Sequence, residues 1–250
     1  MYKQGTYITD PIGNNEFSYQ ERIGLGSVGK IFVPSLIKGN LDNLEIGSEI
    51  VFEEVMDNKL ISCTGLKHLV ETTYAGIPVY IMDNHNHALF FRYRHTKQLM
   101  SPLIKGDKGG FKKEDMKPFA VIHIDQHADT KENINSFNAK YASPQEVLNF
   151  TNVACNVGNF ITSAKDAGII DEIIQIRTDY ALHNLKDIDF QKYNYILDID
   201  VDFRVGKEFS SKDIELIHAL IKNSCLITIA TSPYFIDQKE AIAIIKKILS

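Results

Sequence analysis

The chain has 250 residues, 44% hydrophobic and 24% charged, a balance that suits a folded chain and excludes an intrinsically disordered one. A formal charge of −5 without a basic stripe argues against nucleic acid, and no apolar run reaches the roughly 18 to 20 residues of a membrane helix. Cys63, Cys155 and Cys225 are too far apart for a disulfide framework or a CxxC zinc pair, and the first ten residues lack the apolar centre of a signal peptide. A cytoplasmic protein is therefore expected.

Residues 1–75 are glycine-rich and carry short β-like runs at 30–37 and 48–55, which predict a small strand-rich N-terminal segment. Within it, GLGSVGK (24–30) matches GxGxxG by letters, but no buried strand precedes it and the IFV that follows suits a strand, not a phosphate-binding helix. A glycine-rich turn is the better reading. From residue 76 to 250 strands and helices alternate. Buried strands are predicted at 77–83, 119–125, 171–177, 193–200 and 225–231. Helices are predicted at 88–100, 144–150 and 159–167, the last stopped by Gly168. Two more follow, one capped by Ser210 or Ser211 and running to about Lys222, the other capped by Asp237 with Ala241, Ile244, Ile245 and Ile248 on one face. This alternation implies an α/β fold with a mainly parallel sheet covered on both sides, a three-layer α/β/α architecture.

Chemistry gathers where the apolar runs end. FAVIHI leads into Asp125, His127 and Asp129; NYILDI leads into Asp200 and Asp202; IPVYIMD leads into His85 and His87. In open parallel sheets, ligand sites form at the carboxyl ends of the strands. In an extended segment residues i, i+2 and i+4 point the same way, so each group of acids would face one centre. Crowded carboxylates repel in a low dielectric unless cations neutralise them, and carboxylates with imidazoles suit Mn²⁺ or a similar divalent ion. Each motif alone could be a solvated loop or an edge strand; their joint occurrence favours a metal site. His95, His123, His183 and His218 read as packing or surface residues.

These motifs resemble the ureohydrolase superfamily, which includes arginases and agmatinases and shares its fold with histone deacetylases. DNHNHAL, IDxHAD, LDIDxDF and TIATSP, over roughly residues 77–235, are most similar to its peptide arginase-like branch. The resemblance implies an arginase-like fold and two Mn²⁺. His85, Asp125, Asp129 and Asp200 would hold one ion and His127, Asp125, Asp200 and Asp202 the other, with Asp125 and Asp200 bridging. His85 and His87 compete for the ligand role; the other would touch substrate or orient a ligand. The implied reaction is hydrolysis of an arginine side chain, in a ribosomally made precursor peptide, to ornithine and urea, with Asp129 bonding to the attacking water. Asn159 and Tyr234 are candidate substrate contacts, although Asn159 also suits a helix cap.

Two departures weaken a free-arginine assignment. No histidine lies between His127 and His183 to shuttle protons, and no glutamate follows TIATSP before Glu240 to grip a guanidinium. Two other readings stand beside the peptide arginase. One is a metal-dependent amide deacylase of the same fold. The other is a non-catalytic, metal-stabilised peptide-binding protein.

Overall fold

The computed structural model describes residues 2–104 and 117–250. Eleven strands form among them: β1 (Thr6–Ile8), β2 (Ile31–Val33), β3 (Leu36–Lys38), β4 (Ile46–Met56), β5 (Lys59–Leu66), β6 (Leu69–Tyr74), β7 (Ile77–Met82), β8 (Phe119–Ile124), β9 (Glu172–Ile176), β10 (Asn194–Asp200) and β11 (Ser224–Ala230). The helices are α1 (Tyr19–Gly24), α2 (Ala88–Ile104), α3 (Pro144–Val153), α4 (Phe160–Asp166), α5 (Asp179–Leu182), α6 (Ser211–Lys222) and α7 (Gln238–Ile248).

A seven-stranded sheet has the order β3-β6-β7-β11-β10-β8-β9. Five neighbouring strands, β7 to β9 in that order, are parallel, and β6 alone pairs antiparallel, with β7. The chain is thus α/β with a mixed, mostly parallel central sheet. The β-like reading of the first 75 residues holds, and two of those strands, β3 and β6, extend this same sheet. β1–β2 and β4–β5 form separate antiparallel pairs. The β4–β5 hairpin turns on Asp57 and Asn58, both at positive φ (51° and 58°), the backbone that a two-residue turn requires.

Alternate residues of the parallel strands feed two apolar clusters. Tyr80, Met82, Val121 and Ile196 pack with residues of α2, α3 and α4. Val79, Ile81, Ile122, Leu197 and Ile199 pack with Ile217, Leu220, Ala241 and Ile245 of α6 and α7. This is the period-two geometry of a strand buried on both faces. The caps fall where the sequence places them. The Ser210 side chain accepts from Asp213 N as Asp213 returns to Ser210 N, and the Asp237 side chain accepts from Lys239 N and Glu240 N.

The loop at residues 24–30 is a turn with Gly26 and Gly29 at positive φ, followed by β2. It wraps a buried ion pair. Arg22 Nη1 lies 2.6 Å from Glu53 Oε2, Arg22 Nε donates to Phe17 O (2.7 Å), and Ser27 Oγ bonds to the same glutamate. Every fork of the guanidinium is used, since Nη2 donates to Asn15 O (2.6 Å). Cys63, Cys155 and Cys225 are free. Among the described residues no helix is long and apolar enough to cross a membrane.

Candidate metal centre

Four adjacent strands, β7, β11, β10 and β8, end side by side, and their carboxyl ends deliver the polar residues. Asp125 follows β8 directly, Asp200 closes β10, and His85, three residues after the end of β7, opens a single 3₁₀ turn. Asp202 and His127 arrive by turns, not by strand alternation. The Asp200 carboxylate accepts from Asp202 N (3.0 Å) and the Asp125 carboxylate from His127 N, so each aspartate curls the chain behind it inward. Asp129 adopts a left-handed φ of 49° and Ser232, whose hydroxyl bonds to Asp200, one of 41°. Such backbone costs about 1–3 kcal/mol per residue and concentrates at functional sites.

The six predicted ligand residues come together. His85 Nδ1 lies 3.5 Å from Asp125 Oδ2, 3.7 Å from Asp129 Oδ2 and 3.2 Å from Asp200 Oδ2. His127 Nδ1 lies 3.2 Å from both Asp125 Oδ1 and Asp202 Oδ2. One residue read from the sequence as packing joins them: His123 Nε2 stands 3.3 Å from Asp125 Oδ2 and 3.9 Å from Asp129 Oδ2. Among the described residues four triads have donor atoms within 4.8 Å of one another: His85–Asp125–Asp200, His123–Asp125–Asp129, Asp125–His127–Asp202 and His85–His123–Asp198. Asp125 belongs to three of them.

Beneath the cluster runs a polar row across the sheet. His123, Asp198 and Thr228 are register partners on β8, β10 and β11. His123 Nδ1 lies 2.7 Å from Asp198 Oδ2, His85 Nε2 lies 3.0 Å from the same oxygen, and Arg92 Nη2 of α2 lies 2.6 Å from Asp198 Oδ1. Phe160 packs against the His85 ring, with centroids 4.6 Å apart. A carboxylate behind each imidazole, with the other ring nitrogen aimed at further carboxylates, is how proteins orient metal-binding histidines. The clue to His123 in the sequence was its place two residues before Asp125, matching Asp198 before Asp200. Both are polar groups inside otherwise apolar, doubly buried strands.

Several of these atoms make no well-aligned hydrogen bond despite their burial and face only other members of the cluster: His85 Nδ1, His123 Nε2, Asp125 Oδ2 and both Asp202 carboxylate oxygens. Buried polar groups are seldom left so, and a cation would satisfy them all. The electrostatics agree. Burial opposes charge on His123, yet the adjoining Asp125 and Asp198 carboxylates raise it to about 9. The Asp125 and Asp202 carboxylates beside it raise His127 to about 10. Burial, then the Asp125 charge, pushes Asp129 up to about 8, and burial with the Asp200 charge pushes Asp202 to about 7. Asp198 is held well below the usual range by Arg92, His85 and His123 against the effect of burial. Protons thus occupy positions that a metal would take. The donor set, buried imidazoles and carboxylates without thiolate, fits a metal ion.

His87 stands apart. Its Nδ1 lies 2.7 Å from the Tyr2 hydroxyl, its Nε2 3.8 Å from Asp83, and burial lowers it to about 3. Asn159 is buried at the start of α4, its side-chain Oδ1 accepting from Asn156 N (2.9 Å). Tyr234 lines a cavity of about 450 Å³ that opens over His85, His127, Asp129 and Asp200. The N-terminal segment completes that cavity with Phe17, Phe52 and Glu54.

No protein-family model matches the chain, and no curated protein is significantly similar to it. What fold and site define is an α/β protein with a buried histidine–aspartate cluster able to hold a metal ion.

Proposed function

We propose that this protein is a binuclear manganese hydrolase that converts arginine side chains of a peptide to ornithine and urea. The observation that carries the reading is the convergence of DxHxD, DxD and the DNH histidine, with unsatisfied donor atoms, on the floor of one cavity. The two apolar clusters on alternate faces of the strands support a three-layer, arginase-like arrangement. His85, Asp125, Asp129 and Asp200 would hold one ion and His127, Asp125, Asp200 and Asp202 the other, with His123 an additional donor facing Asp125 and Asp129. When bound, the ions would supply the positive charge that acidifies water at neutral pH.

The chain's own groups do the remaining work. Asp129 lines the cavity as well as the cluster, and in this reading it would accept a hydrogen bond from the attacking water. Asp198, anchored by Arg92 and Thr228, fixes the ring planes of His85 and His123. Phe160 covers one face of the His85 ring. His87, bonded to Tyr2 and facing Asp83, holds the turn that carries His85.

Incubation with Mn²⁺ and arginine-bearing peptides should release one urea per arginine lost, with the matching fall in peptide mass. Full metal loading without urea from any such peptide would leave the non-catalytic binding reading in its place. Release of an acyl group instead would leave the deacylase.

A further inference from the structure

Two divalent cations and the four aspartates that would hold them cancel in formal charge, so the loaded cluster offers a guanidinium ion no net counter-charge. A substrate with that head therefore needs a counter-charge elsewhere in the cavity, because an unpaired charge in a desolvated site costs several kcal/mol. The carboxylates on the cavity floor are committed to the metal cluster. One lining carboxylate is not, and it comes from the N-terminal hairpin.

We propose that Glu54, on β4, is the residue that selects a planar, positively charged side-chain head. The rings of Phe52 and Tyr234, tilted 50° to each other, form the surface on which that head stacks. This rests on the hydrolase reading in taking the guanidinium as the group presented to the ions. Strand alternation supplies the first support. Glu53 turns to the buried Arg22, so Phe52 and Glu54, two apart, face the cavity together. Among the described residues the only side-chain hydrogen bond of Glu54 is from Val55 N (2.8 Å), and no cation lies within ion-pair distance of it. Two cations also line the cavity. Arg177 is committed to the Gln126 carbonyl (3.1 and 2.8 Å), and Lys131 lies against Gly158.

The aromatic surface suits the same ligand. The rings of Phe52 and Tyr234 lie 5.6 Å apart, and those of Tyr234 and Phe235 5.0 Å. A delocalised cation binds aromatic faces better than its neutral analogue does. Burial, and after it the charge of Glu54, raises the Tyr234 phenol, which places the two groups in one electrostatic neighbourhood. Asn84 Nδ2 donates to Val51 O (2.9 Å), tying this strand to the loop that carries His85. The hairpin is therefore held in register with the metal cluster.

The test uses the full-length, manganese-loaded protein and two non-reacting probes of equal shape, N-butylguanidinium and N-butylurea, with affinity read by calorimetry. Wild type should prefer the cation by about tenfold or more, and Glu54→Gln should remove that preference, as loss of a charge-assisted bond implies. Metal content and melting temperature of Glu54→Gln should stay at wild-type values. Equal binding of the two probes by wild type, or an unchanged preference in Glu54→Gln, would overturn the assignment. Equal binding of the probes by wild type overturns the assignment even were the variant to fold poorly. Selective cation binding without urea release from arginine peptides would keep this assignment and reject the hydrolase.

Discussion

Asp125 faces three histidines at once: His85, His123 and His127 all lie within 3.5 Å of its carboxylate oxygens. No other carboxylate of the cluster has that position, so replacing it removes a shared donor and leaves three imidazoles without their common partner. Asp125→Ala is expected to strip all bound manganese and abolish turnover, with Asp200→Ala behaving alike. His127→Ala should weaken one site while the other keeps its ion, because His85 and His123 approach Asp125 through Oδ2 and His127 through Oδ1. Elemental analysis of the purified variants checks this. Two full sites in Asp125→Ala would refute the shared-donor role, and two full sites in His127→Ala would refute its place as a ligand.

Most of the regular elements are legible because each of their signals is local. Continuous apolar runs mark β8, β10 and β11, and a capping serine or aspartate marks α6 and α7. What is not legible depends on pairing across the chain. His123 reads as packing because its partner Asp198 is 75 residues away, and only the register of β8 on β10 makes them neighbours. Glu54 is invisible as a cavity residue because β4 meets the metal loop through Asn84, a contact no local pattern encodes. The same holds for the hairpin's own anchor. Arg22 and Glu53 are 31 residues apart, both buried, and satisfied only by each other and by nearby groups. Arg22→Ala strands a buried carboxylate, which typically costs about 3–5 kcal/mol. It also frees the Phe17 carbonyl and loosens the wall formed by Phe17 and Phe52. Urea unfolding should show the stability loss. Kinetics should show a raised KM with metal content intact, whereas an unchanged unfolding midpoint would mean the pair is dispensable.

For the whole molecule, five aspartates and three histidines share one buried centre, and something must balance their charge at every pH. Without metal, protons do so: His123 sits near 9, His127 near 10 and Asp129 near 8, each raised by neighbouring carboxylates or burial, so all three carry protons at pH 7. Metal ions need those donors deprotonated, so metal uptake and proton release are one equilibrium. The sign follows directly. As pH falls, protons compete better and apparent metal affinity drops; as pH rises toward 9, affinity climbs. A ligand that binds only the folded state at 100 times its Kd stabilises it by about 2.7 kcal/mol, so excess Mn²⁺ should raise the melting temperature at pH 8 and progressively less toward pH 6. Manganese titrations at pH 7 in two buffers of different ionisation enthalpy should reveal more than one proton released per protein. Heats identical in both buffers would mean that His123 and His127 keep their protons, and hence that the ions bind elsewhere.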